Sequence, residues 1–66
     1  MISYNPLWDT MKKQGVSTYW LLKQGIDRKT LNNLKHNKNT TLLTMEKLCK
    51  ILNCNISDLV EFIERE

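Results

Sequence analysis

Apolar residues recur along this chain at helical intervals, and no segment shows the alternation of a half-buried strand. Leu7, Trp8 and Met11 predict a first helix over Pro6–Gln14. Asn5 stands as its cap, and Pro6 suits a first turn because its missing N–H would have no partner there. Gly15 fits the left-handed residue after the helix end. Tyr19, Trp20, Leu21 and Leu22 predict a second helix over Ser17–Gln24, capped by Ser17 and apolar nearly all round, as central bundle helices are. Gly25 ends it. Leu31 and Leu34 mark a narrow inner stripe on a third helix, Arg28–His36, with Asp27 as a strong cap. Leu42, Met45, Leu48, Cys49 and Leu52 share one face of a fourth helix, Leu42–Leu52, capped by Thr41 and closed by a left-handed Asn53. Ile56, Leu59, Val60 and Ile63 predict a fifth, Ile56–Glu64, with Asn55 and Asp58 at capping-box spacing and Phe62 off the stripe. The expected fold is all-α, five short helices that only mutual packing can hold.

Sixty-six residues suffice for one domain, 1–66, and not for two. A chain of this length buries only about 60% of its unfolded surface, so a partner would stabilise it. A hydrophobic fraction of 41% argues against disorder. No apolar run approaches the roughly 18 residues of a membrane span. Met1 to Pro6 lacks the basic start and apolar stretch of a secretory signal, so a cytoplasmic location is expected. Cys49 and Cys54 are too few for a disulfide framework, and their spacing is not that of a metal pair. His36 is the single histidine, without a second His or a nearby carboxylate in sequence. No enzyme, metal or cofactor is expected.

Charge changes the picture. The net +3 conceals nine basic and two acidic residues between Lys12 and Lys50, a balance of +7, followed by −3 over Ile51–Glu66. A strongly basic middle points to a polyanionic partner, and the acidic end to a solvated face turned away from it.

The layout of Ser17–Lys35 is that of a helix-turn-helix: an apolar helix, the turn Gly25-Ile26-Asp27, and a helix with two inward leucines. At 100° per residue Lys29, Asn32, Asn33 and His36 point away from the leucines, with Arg28 at the flank. Arg and Lys donate to guanine O6 and N7 in the major groove, and Asn binds adenine at N6 and N7. After its cap the third helix carries no carboxylate to repel phosphates.

These segments, in this order, resemble the Cro/CI-type (lambda-repressor-like) regulators, most of all their small single-domain members. The residues that carry the resemblance are Ile2–Trp8, Ser17-Thr18, Gly25-Ile26, Thr30-Leu31-x-x-Leu34, Lys35–Lys38, Thr41–Cys54 and Asn55–Val60. The resemblance implies a five-helix DNA-binding domain. It implies base contacts from Arg28, Lys29 and Asn33, with Asn32 as an addition. It implies phosphate contacts from Ser17 and Thr18 at the start of the second helix, and from Asn37, Lys38 and Thr40 or Thr41 after the third. His36 is a candidate phosphate contact rather than a catalytic or metal residue. Thr18 or Ser17 stands where the family has Gln. Asn37 replaces a common loop Gly, which Asn tolerates because it accepts the left-handed conformation.

The resulting expectation is a sequence-specific regulator of bacterial or phage origin, a repressor by promoter occlusion and nucleoid-associated when bound. It would act on a palindromic duplex as a weak homodimer through the fifth helix, with no effector evident. Phe62, or else Tyr4, is the candidate dimer contact, whereas Trp8 and Trp20 are expected in the core. The rival expectation is a protein-interaction module on the same fold: an antitoxin, anti-repressor or inhibitor.

Overall fold

The computed structural model describes residues 1–64. Its elements are β1 (Ile2–Ser3), α1 (Asn5–Gln14), α2 (Thr18–Lys23), α3 (Arg28–Lys35), α4 (Leu42–Leu52), a single 3-10 turn (Ile56–Asp58) and β2 (Glu61–Phe62). Four helices therefore lie within a residue or so of their expected bounds. Their ends follow from local chemistry. The Ser17 hydroxyl accepts from the Trp20 N–H (3.2 Å), an Asp27 carboxylate oxygen from Thr30 N–H (2.7 Å) and the Thr41 hydroxyl from Thr44 N–H (3.1 Å). Gly15 (φ 69°) and Asn53 (φ 51°) close α1 and α4 in the left-handed conformation. The next residues, Val16 and Cys54, then donate back to the carbonyls of Met11 and Cys49 at 3.0 Å.

The expected cap of α1 is corrected. Asn5 is already helical, Tyr4 holds the cap position, and no side chain caps the helix. Instead the Ser3 hydroxyl accepts from Asn5 N–H at 3.2 Å.

The fifth helix, and with it the five-helix count, is also corrected. After the 3-10 turn the chain extends, and β2 pairs antiparallel with β1, Ile2 facing Phe62 and Ser3 facing Glu61. The Met1 nitrogen donates to the Ile63 carbonyl (2.9 Å), and the Ile63 N–H returns a bond to the Met1 carbonyl (2.8 Å). Asp58 does accept from Asn55 N–H (3.2 Å), as the capping spacing predicts, but only one turn follows. A helix this short is unstable without an apolar face to bury. Of its expected stripe only Leu59 is fully buried and Val60 half-buried, whereas Ile56 and Ile63 are exposed. The β-prone Phe62 and Ile63 gain more from a partner strand 60 positions away in register, Ile2 with Phe62.

The core gathers Leu7 and Met11 of α1, Leu21 of α2, Leu31 and Leu34 of α3, Met45, Leu48 and Leu52 of α4, and Tyr4, Ile26 and Leu59 from the connections. Trp8 and Trp20 pack against it half-buried, as expected, and so does Cys49. Three expectations fail here. Leu42 is 80% exposed, because α4 extends one turn beyond the elements that cover its apolar face. Tyr19 is 64% exposed and carries the Lys23 ammonium 5.0 Å from its ring centroid, rather than joining the core. Tyr4 is only 2% exposed and so cannot serve as a dimer contact.

Candidate nucleic-acid interface

Two capped helices and the turn between them build the candidate surface. Gly25 adopts φ 104°, a conformation that a side chain would strain, and its carbonyl accepts from the Lys47 ammonium of α4 at 3.4 Å. Ile26 then plunges into the core while its N–H bonds the Leu21 carbonyl at 3.1 Å. The reversal is thus fixed by a glycine, a buried anchor and a cap. It sets α3 with Leu31 and Leu34 inward and its polar face outward.

On that face Arg28, Lys29, Asn32, Lys35 and His36 are exposed, and Asn33 is half-buried. Asn33 sits toward the loop that follows α3, where its backbone carbonyl accepts from Lys38 N–H at 2.8 Å. Thr18 and Tyr19 of α2 line one open depression with Arg28, Asn32 and Lys35 of α3. The sequence pattern assigns Thr18, Arg28 and Asn32 to such a surface, and the structure places Tyr19 and Lys35 beside them. Lys35 was legible, since positions 28, 32 and 35 share one helical face. Tyr19 was not, since its apolar neighbours masked its direction.

The candidate phosphate contacts divide into two groups. Ser17 and Thr41 already use their hydroxyl oxygens as helix caps, and the Thr41 hydroxyl also bonds the Thr44 hydroxyl at 3.0 Å, so first-turn N–H groups are what both helix starts have to offer. Thr18, next to Ser17 in sequence, is half-buried. His36, Asn37 and Lys38 lie after α3 and are exposed. Asn37 takes the left-handed conformation (φ 54°), and its side-chain oxygen accepts from Tyr4 N–H at 3.0 Å.

Among the described residues the one ion pair is an exposed contact on α4, Lys50 with Glu46 at 3.9 Å. Among the described residues no cation of α3 forms an ion pair with an acidic side chain. Asp27 is the acidic group closest to them in sequence, and it is engaged as a cap. The Thr30 hydroxyl and N–H, with smaller help from Lys29 and Lys47, hold its carboxyl below the usual carboxylate range. A depressed folded pKa stabilises above the unfolded value, about 3.9, and that contribution disappears as pH falls through the folded one. Asp27→Asn keeps a capping oxygen but removes the titration. Its melting temperature should therefore lie below that of the unmodified chain at pH 7, with the gap narrowing on acidification from the unfolded value down through the folded one. Thermal unfolding across that range checks this, and a constant gap would contradict it.

Cys49 and Cys54 are free thiols, and burial, with Cys49 as a neighbour, pushes the Cys54 thiol up. Among the described residues no cluster of three metal-ligating side chains forms, and no helix is long and apolar enough to cross a membrane.

A family model of the Cro/C1-type HTH DNA-binding domain matches residues 6–65. The chain belongs to the Cro/C1-type helix-turn-helix family. Among solved structures, the crystal structure of the transcriptional regulator VanUg (Form II) is similar to it. The TM-score is 0.89 at 28% sequence identity, covering 97% of this chain and 87% of that one. No curated protein matches the chain. The family is a DNA-binding one and typically non-enzymatic. In this chain α2, the turn Gly25-Ile26-Asp27 and α3 form the helix-turn-helix pair.

Proposed function

We propose that this single domain, 1–66, is a sequence-specific double-stranded DNA-binding repressor that acts in the cytoplasm. In this reading α3 enters the major groove and α2 crosses above the backbone. Arg28, Lys29, Asn32 and Asn33 read base edges, while Ser17, Thr18, His36, Asn37, Lys38 and Thr41 hold phosphates. One observation carries the reading: the exposed face of α3 joins Arg, Lys and Asn side chains with no carboxylate among them. Occlusion of a promoter requires no more of the domain than that it bind DNA there.

The test is selection of bound duplexes from a random pool, followed by gel shifts across a salt series. Enrichment of a palindrome, with log affinity falling linearly against log salt, is the expected outcome. Absence of binding at low salt would favour the rival class, a protein-interaction module.

A weak homodimer completes the proposal. The fifth helix expected to mediate it does not form, so the reading now rests on the face around Phe62. Phe62 is 83% exposed. It borders an open apolar groove with Ile2, Leu42, Met45, Ile56 and Val60. A protruding ring beside a groove on one face supports the reading, since a two-fold interface requires a self-complementary face. A second copy thus covers Leu42, Ile56 and Phe62 together. Phe62→Ala should shift sedimentation toward monomer and weaken binding to a palindrome, with a single half-site bound as before. Unchanged sedimentation at every concentration would remove this face from the dimer.

A further inference from the structure

The loop between α3 and α4 carries Lys38, and its two halves are held differently. The first half folds back on α3. His36, Asn37 and Lys38 donate their N–H groups to the carbonyls of Asn32 (3.1 Å), Leu34 (3.3 Å) and Asn33 (2.8 Å). The N–H groups of Asn39, Thr40 and Thr41 make no such bond, and α4 begins only after Thr41. What spans the gap comes from the other end of the chain. The Tyr4 hydroxyl donates to the Lys38 carbonyl at 2.8 Å and meets the Thr40 hydroxyl at 3.3 Å. Tyr4 N–H donates to the Asn37 side-chain oxygen at 3.0 Å.

Tyr4 is well suited to be the fixed side of these contacts. Its ring is 2% exposed, and it packs in the same core as Leu7 and Leu34. Its residue joins β1 to α1, so both neighbouring segments restrain it. A buried phenol hydroxyl needs a partner, and the groups that satisfy it here belong to the loop. The core thereby dictates where the Lys38 backbone lies, while the Lys38 side chain remains exposed.

We infer that Tyr4 is the positioning residue of the phosphate-binding loop: it orders the backbone of Lys38 in advance, so that binding DNA need not. This inference rests on the proposed role of Lys38 as a phosphate contact. Ordering a flexible charged segment before binding removes a cost from association without adding a contact to the ligand. It therefore raises affinity for every duplex alike and leaves base preference untouched.

The test is a double-mutant cycle of Tyr4→Phe with Lys38→Ala, read as duplex affinity against salt concentration, with circular dichroism and thermal unfolding of each variant. Tyr4→Phe keeps the ring in the core and removes only the hydroxyl. It should retain the helical spectrum, bind selected and random duplexes about 3- to 10-fold more weakly, and shallow the salt slope. Lys38→Ala should shallow the slope by roughly one unit, and adding Tyr4→Phe to it should cost almost nothing further. Thr40→Val, which alters the second hydroxyl without touching the core ring, should show the same effect more weakly. A folded Tyr4→Phe that binds DNA normally overturns the inference. So does an equal loss with and without Lys38, which would mean a general effect on the fold. A salt slope unchanged in Lys38→Ala alone overturns the phosphate role of Lys38 itself, and the inference falls with it.

Discussion

Leu34→Ala is expected to lower stability by about 2–5 kcal/mol, enough to leave much of the protein unfolded at 37 °C. Leu34 is completely buried, on the inner face of α3, in the core shared with Leu21, Leu48 and Leu59. Removing its branched end forfeits the transfer energy of those atoms and leaves a cavity that four short helices cannot fully close. Native domains have only about 5–15 kcal/mol in total, and small ones lie toward the low end because they bury less of their surface. In a domain of this size each kcal/mol moves the melting temperature by about 4–8 °C. A fall of roughly 10–40 °C is therefore the expected reading by circular dichroism. A cognate duplex at 100 times its Kd should restore about 2.7 kcal/mol, because it binds the folded form alone. A melting temperature within a few degrees of the unmodified chain would mean that α3 is not held to the core by this leucine.

Lys29→Ala should do the opposite, leaving stability within about 0.5 kcal/mol while costing about 1–3 kcal/mol of affinity for the cognate duplex. Lys29 is exposed on α3, one helical position after Arg28 and next to the turn that delivers the helix. Its only electrostatic part in the fold is a minor one, helping Asp27 to stay ionised. Its loss should relax the preference at one base position and leave random duplexes bound almost as before. Gel shifts on the selected site, its single-base variants and a random duplex separate the possibilities. Equal losses on all of them would move Lys29 from base reading to phosphate binding.

Both predictions use features already visible in the sequence. Asp27 before a helix, Gly25 before Asp27, and leucines at 31 and 34 are local signals, and each acts within a few residues of itself. The same holds for the Thr41 cap and for Asn37 and Asn53 in the left-handed conformation. Capping and backbone sterics involve neighbours in sequence, so they are written where they act.

The misreadings have the complementary cause. Helical spacing shows which residues share a face, but not whether anything arrives to cover it. Leu42 lies on the same stripe as Met45 and Leu48, yet it extends past the covered part of α4. The segment after Asn55 carried a helical pattern too, and lost to a strand partner at the opposite end of the chain. The sequence leaves Tyr4 open as a second candidate dimer contact because its partners, Asn37, Lys38 and Thr40, lie more than thirty residues away.

The helix-turn-helix, its caps, its basic outer face and the uneven charge along the chain are all legible in the order of residues alone. Three features emerge only once the chain is folded: β1 pairs with β2, Phe62 and Leu42 share an open face, and Tyr4 ties the core to the loop after α3. Pairing of this kind depends on which distant segments meet. That choice is settled by the packing of the whole chain, and no periodicity within a window records it.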